Sequence, residues 1–358
     1  MNPFTYDQLP ARVVFGAGRL AEVGAEVERL DGRRVMLISD PLTVAPAEKI
    51  RGQLWSRLAL SWDEVAQHVP VDLADRARAA ATAAAIDSVV CIGGGSSTGL
   101  AKAMALSHDV PIVAIPTTYA GSEQTTIYGL TGGRHKQTGK NPVVLPKTVI
   151  YDPELTLGLP PHVTGPSAFN ALAHSVEALY APGNNPITSA LALEGVRAIH
   201  RSLPKVMASP NDVEGRGTLL YGAYLSGVAL GTTSTGLHHK LCHVLGGRFN
   251  LVHADAHSVI LPHAIAFNAP ALPDEMGRLA EALGVPGGDP AAALWDLAVA
   301  SNVPTRLADL KGDEGLLKRE DLPGAAHAAS EEITVNPRAI DEADLLGILE
   351  RAYEGARP

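Results

Sequence analysis

Between residues 12 and 151, short β-branched runs alternate with alanine- and leucine-rich runs whose apolar residues recur at helical spacing; after about residue 160 the strand-like runs stop. Few architectures accept that pattern. Strands are expected at 12–15, 35–39, 88–92, 111–115 and 148–151, with helices at 19–30, 45–58, 74–85 and 98–107 between them. Such βα repetition predicts an α/β layer around a parallel sheet. A polar, glycine-bearing segment at 125–141 interrupts it and reads as a hairpin or flap over a cleft. The second half predicts helices at 167–180, 188–203, 216–230, 236–245, 254–267 and 273–283, with others following. The chain is thus expected to fold as an α/β domain over residues 1–158 and an all-α domain over residues 159–358, joined without a long linker.

The 358 residues suffice for two cores, and 46% hydrophobic against 19% charged residues excludes intrinsic disorder. Twenty-nine basic against 38 acidic residues give a net charge of −9, which argues against a nucleic-acid partner. An anionic ligand would have to be held by local features. Cys91 and Cys242 are the two cysteines, so neither a disulfide framework nor a cysteine metal cage is expected, in keeping with a reducing compartment. With no basic, apolar leader and no apolar stretch of membrane-spanning length, a cytoplasmic protein without a membrane partner is expected.

The sharpest local feature is Gly93-Gly94-Gly95-Ser96-Ser97, which directly follows a strand and opens a helix. Glycines let the backbone approach a phosphate, and the amides at a helix start can donate to it. The string is neither the usual dinucleotide fingerprint nor a P-loop, and a tight structural turn is the competing reading. Thr117, Thr118, Tyr119 and Ser122 follow the next strand, and two consecutive polar strand exits argue for one shared ligand site. Asp40, after the strand 35–39, suits either a nucleotide ribose hydroxyl or a turn before Pro41.

Six of the 13 histidines, at 238, 239, 243, 253, 257 and 263, fall within 26 residues. His239 and His243 share a helix face, as do His253 and His257. Asn170, His174 and Glu177 line one face of an earlier helix. Imidazoles on facing helices can bind a divalent metal, or hold an anion and pass protons. A metal set would ordinarily include an acid where this helix has the neutral Asn170. Lys240 and Arg248 flank the cluster and can meet a carboxylate or simply face solvent. The remaining histidines, 68, 108, 135, 162, 200 and 327, read as ordinary packed or surface residues, and no nucleophile motif is present.

In this order, the Gly-Gly-Gly-Ser turn, Pro116-Thr117-Thr118, Asn170-Ala-Leu-Ala-His174, His239-x-x-x-His243 and His253 resemble the iron-containing alcohol dehydrogenase superfamily over nearly the whole chain. The string from His238 to Gly247 is similar to its maleylacetate reductase branch. The resemblance implies a Rossmann-like, dinucleotide-binding α/β domain, a helical catalytic domain in the dehydroquinate synthase-like manner, an active site between them, and a homodimer. It implies NADH or NADPH bound at Gly93, Gly94, Gly95, Ser96, Ser97, Thr117, Thr118 and Ser122, with Asp40 on the adenosine ribose. Metal-binding members would place ligands at Asn170, His174, His239 and His253. Asn170 departs from the usual Asp, so no tightly bound metal is expected. The small dicarboxylate maleylacetate is the implied substrate, with His243, His239, His253, Lys240 and Tyr119 as implied catalytic or contact residues.

The implied chemistry explains how a metal becomes dispensable. Hydride added to a carbonyl makes a strongly basic alkoxide that a Lewis acid stabilises. Hydride added to the C=C bond conjugated to a ketone leaves a far less basic enolate, which imidazole donors can stabilise and protonate. Competing readings are a metal-dependent alcohol or hydroxyacid dehydrogenase, a metal-retaining cyclase on the same architecture, and a nucleotide-binding regulatory protein.

Overall fold

The computed structural model describes residues 4, 6–7, 9, 11–132, 135–333 and 335–358, which divide into two compact units, one within Gln8–Leu159 and the other mainly Pro160–Pro358. The first contains β1 (Arg12–Phe15), α1 (Val23–Arg29), β2 (Val35–Ser39), α2 (Val44–Leu54), β3 (Leu58–Trp62), α3 (Val71–Ala83), β4 (Ser88–Gly93), α4 (Gly95–His108) and β5 (Ile112–Pro116). It continues with β6 (Ile127–Gly132), β7 (His135–Lys140) and β8 (Thr148–Tyr151).

Six strands form one parallel sheet in the order β1-β8-β5-β4-β2-β3. The central strands β2, β4 and β5 are buried at every position, the state of a sheet covered on both faces. Val35, Leu37, Val90, Ile92, Val113 and Ile115 share one core cluster with Val23, Val27, Ala47 and Ile50 of α1 and α2. The chain leaves β2 toward β3 on one side and β4 toward β5 on the other, so the strand order reverses between β2 and β4. Ligands of open α/β sheets sit at the carboxyl ends of strands at such a reversal.

One expectation is overturned here. The helix expected over 45–58 ends at Leu54, where Trp55 takes φ +31°, and residues 58–62 form a strand beside β2. Its leucines and alanine are helix formers; pairing with β2 overrides that local preference. The polar 125–141 segment forms the expected hairpin, with β6 and β7 antiparallel; residues 133 and 134 lie outside the described residues.

The second unit contains α5 (Pro161–Ala178), α6 (Pro186–Ala208), α7 (Val213–Thr232), α8 (Leu237–Phe249) and α9 (His253–Asn268). It ends with α10 (Pro273–Ala282), α11 (Pro290–Ala300), α12 (Leu322–Glu332) and α13 (Glu342–Glu354). From Thr164 onward α5 is buried on nearly every side, as the central helix of a bundle must be. It starts at Pro161 rather than at the expected 167, because Pro166 sits near enough to the start to cost one backbone bond without ending the helix. A Cβ on Gly195 of α6 would lie 2.8 Å from Ser175 Oγ of α5 and 3.1 Å from Ser226 Oγ of α7, so three helices meet where a side chain is missing. Ser175 and Ser226 hydrogen-bond across that junction at 2.8 Å. Helix α8 runs past Gly246 and Gly247 to Phe249 and is ended by Asn250 in the left-handed conformation. Leu241, Leu245, Ile260, Leu322, Leu345 and Leu349 belong to the core that holds α8, α9, α12 and α13 together.

Candidate active site

In the first unit the reversal between β2 and β4 is flanked by Asp40 and Gly93. Gly93 has φ +145°, and a Cβ there would collide with Ser97 Oγ and lie 2.9 Å from Asp40 Cβ. Only glycine permits this exit from β4 and the approach of Asp40 to α4. Gly94 caps α4 without a side chain, so the first amides of that helix are available to an anion. The loop after β5 is held against this turn by Thr117 N–H, which donates to Gly93 O at 2.9 Å. Thr118 Oγ1 lies 3.5 Å from where a Gly94 Cβ would stand, and Ser122 Oγ 3.9 Å from the same position on Gly95. The two polar strand exits therefore adjoin. Ser97 Oγ and Ser122 Oγ are buried there without a hydrogen-bond partner among the described residues. Asp40 Oδ1 accepts from Leu42 N–H at 2.8 Å, so the turn reading of Asp40 is realised in the fold.

Lys102 of α4 is the structural residue behind this loop. Its buried Nζ donates to Ser122 O, Thr125 O, Thr125 Oγ1 and Ile127 O at 2.7–3.0 Å. Burial pushes its ammonium down to about 7, against the raising influence of Glu123 and Cys91. Tyr119 is fully buried, with its hydroxyl 3.3 Å from Thr156 Oγ1.

In the second unit the histidines gather around Glu177. This buried carboxylate accepts from Gly236 N–H at 2.9 Å and His238 N–H at 2.8 Å, capping α8, which has no side-chain cap of its own. It also accepts from His239 Nδ1 at 2.5 Å. Burial favours the protonated acid, but the charge and hydrogen bond of His239, with His238 and the Gly236 amide, hold Glu177 down to about 2. Because a carboxylate only accepts, the contact puts a proton on His239 Nδ1 and leaves Nε2 as the reactive end. That atom is buried and has no partner among the described residues.

The other imidazoles pack on this pair. His174 stacks on His239 with ring centroids 5.0 Å apart, and His243 stacks on His253 at 5.5 Å. His257 lies centrally, with Nδ1 2.7 Å from His238 Nε2 and Nε2 2.9 Å from His253 Nε2. Burial, then the neighbouring imidazoles, push His174 and His257 well below the usual histidine range and His238 down to about 3, so these rings stay neutral near pH 7. His243 is exposed at the edge of the group and His253 is half-buried. Lys240 Nζ lies 3.6 Å from Glu332 Oε2. Arg248 lies over the Phe249 ring at 5.9 Å.

The chain matches the iron-containing alcohol dehydrogenase pattern over residues 10–153 and the C-terminal pattern of the Fe-containing alcohol dehydrogenase family over residues 164–353. It belongs to the iron-containing alcohol dehydrogenase family. Within that family it is 47% identical to a maleylacetate reductase of Burkholderia cepacia over the full length of both chains. The crystal structure of a maleylacetate reductase from Agrobacterium tumefaciens superposes with a TM-score of 0.94 at 44% identity, covering both chains completely. A putative alcohol dehydrogenase from Ralstonia eutropha JMP134 does so with a TM-score of 0.96 at 47% identity, again with complete coverage. The iron-containing alcohol dehydrogenases are oxidoreductases that use NAD(P)H, and no helix among the described residues is long and apolar enough to cross a membrane.

The family name implies iron, and the residues present depart from an ordinary iron set at Asn170, a neutral amide where an acid would stand. Among the described residues, donor atoms of three potential ligands come within 4.8 Å of one another only at His238, Cys242 and His257, not at His174, His239 and His253. Sequence reasoning passed over the anchoring role of Glu177, the central place of His257 and the buried Lys102. A signal for Glu177 exists: an acid three residues after His174, on the same helix face, with no basic residue beside it to pair with.

Proposed function

We propose that this chain is a maleylacetate reductase, transferring hydride from NAD(P)H to the C=C bond of maleylacetate to give 3-oxoadipate, without a tightly bound metal. What carries the reading is the pairing of a carboxylate-anchored imidazole, His239, with the neutral amide Asn170 where a metal site needs an acid. The likeness to the Burkholderia cepacia reductase extends over the whole chain and supports it.

In this reading the first amides of α4 and the hydroxyls of Ser96, Ser97, Thr117, Thr118 and Ser122 hold the cofactor pyrophosphate through Gly93, Gly94 and Gly95. Asp40 meets the adenosine ribose of NADH or NADPH. Hydride goes to the alkene carbon distal to the ketone, and the electron pair of the C=C bond moves into the enolate. His243 and His253, and His239 in its doubly protonated form, donate N–H groups to that anion, and one of them supplies a proton to the adjacent carbon. Lys240 and Tyr119 are the remaining candidates for carboxylate or carbonyl contacts.

The test is loss of NADH absorbance on adding maleylacetate to protein stripped of metal by a chelator. Rapid, stoichiometric oxidation is expected. Silence with recovery on adding iron or zinc would keep the reduction and overturn its metal-free character; silence under both conditions would favour alcohol or hydroxyacid oxidation instead.

A further inference from the structure

Cys242 has no part in the proposed reaction, yet it lies within the one close-set donor group found among the described residues. His238 and Cys242 are one helical turn apart on α8, a spacing that puts both side chains on one face. Helix α9 brings His257 to that face, and all three residues are buried.

We infer that Cys242, His238 and His257 form a site for a soft or borderline cation, with Zn2+ the ordinary occupant, separate from the positions at which the family holds iron. Cys242 Sγ stands 3.8 Å from His238 Nε2. Tetrahedral zinc sets that edge at roughly 3.6 Å, given a Zn–S bond of about 2.3 Å and a Zn–N bond of about 2.0 Å. His238 Nε2 and His257 Nδ1, now hydrogen-bonded at 2.7 Å, must part to roughly 3.3 Å. Each ring then keeps its single proton on its other nitrogen. For His257 that nitrogen is Nε2, which has an acceptor ready in His253 Nε2 at 2.9 Å, the outer support that zinc-bound imidazoles ordinarily have. Cys242 gives up its thiol proton to solvent, and the fourth position takes water.

The balance of charge and softness favours the site, while two features keep it reversible. Zinc with one thiolate leaves one positive charge, and the Glu177 carboxylate supplies the opposite charge within the same cluster. Thiolate and imidazole together select zinc over magnesium, calcium or manganese. Against this, burial and the Glu177 charge raise the Cys242 thiol well above its usual range, and His238 Nδ1 has no outer partner. The ion would therefore enter and leave rather than act as a structural clamp. An occupied site withdraws a lone pair of His257 and fixes the centre of the imidazole group, so zinc would inhibit rather than activate; that consequence rests on the reductase reading, whereas the binding does not.

The test is titration of metal-stripped, full-length protein with Co2+. One equivalent should bind with an intense thiolate-to-cobalt charge-transfer band and be displaced by Zn2+. Cys242→Ser should lose the band and weaken zinc at least tenfold, while Cys91→Ser, which alters a buried thiol in the other unit, should keep both. Circular dichroism establishes that Cys242→Ser is folded, and NADH oxidation in chelator should be retained by it. No cobalt binding, binding without the sulfur band, or a band that survives in Cys242→Ser overturns the site. Zinc inhibition equal in wild type and Cys242→Ser overturns the inhibitory consequence. Folded proteins that bind cobalt as described but never reduce maleylacetate would remove the reductase reading and leave the site intact.

Discussion

Glu177 of α5 and His239 of α8 meet at 2.5 Å, carboxylate oxygen to Nδ1, with both side chains buried. The same carboxylate caps α8 through two backbone amides, so one residue fixes where that helix starts and which nitrogen of its second histidine is free.

Glu177→Gln should therefore be felt in stability and in its pH dependence. The acid is held at about 2, below its ordinary value of 4.5. With the folded value below the unfolded one, the stabilisation is complete above pH 4.5 and is lost as pH falls through 2. At neutral pH it amounts to something on the order of 3 kcal/mol. Urea denaturation should show a gap of that size between wild type and variant that narrows as the solution is acidified; a constant gap would refute the linkage.

His243→Ala should lower turnover by a factor of about 10² or more, as expected for loss of a proton donor, with NADH affinity nearly unchanged. Fluorescence titration of NADH beside steady-state rates separates the two. Loss of cofactor binding with the chemical step intact would remove His243 from the reaction.

Ser97→Ala deletes a buried hydroxyl that has no partner. Stability should stay within about 0.5 kcal/mol, while NADH binding weakens about tenfold, the effect of losing one hydrogen bond to a charged group. Gly93→Ala is the contrasting change. Its φ of +145° and the collision with Ser97 should cost about 1–3 kcal/mol as well as cofactor affinity. Unchanged NADH affinity in Ser97→Ala would mean that this hydroxyl does not touch the cofactor.

Lys102→Met should strand the carbonyls of Ser122, Thr125 and Ile127. A loss of about 3 kcal/mol is expected in urea denaturation, with weaker NADH binding because Ser122 is no longer held. Weaker binding without a loss of stability would point to a direct contact between Lys102 and the cofactor.

Much of this arrangement is legible in the sequence because it is local. The glycine turn, the strands on either side of it and the i,i+4 histidine spacings all lie within short stretches of chain. Residues 58–62 were not legible as a strand, because a half-exposed edge strand lacks the continuous apolar run of β4. The start of α5 was hidden by Pro166, which reads as a boundary until the preceding turn is seen. Glu177, His238 and His257 were visible as residues, but their contacts arise only when α5, α8 and α9 pack together. No spacing rule encodes that meeting.

Among the described residues the edge strand β1 pairs with β8 alone, and Arg12 is paired with Thr148. The two also share Glu26, which accepts from both side chains. On a ribosome that adds roughly 5–20 residues each second, β1 emerges about 7–27 s before its partner has been made. Until then its ladder has nothing to close against, so the sheet cannot be completed from the N-terminus inward. A chain stopped short of residue 148 would leave that strand with its hydrogen-bonding edge unpaired.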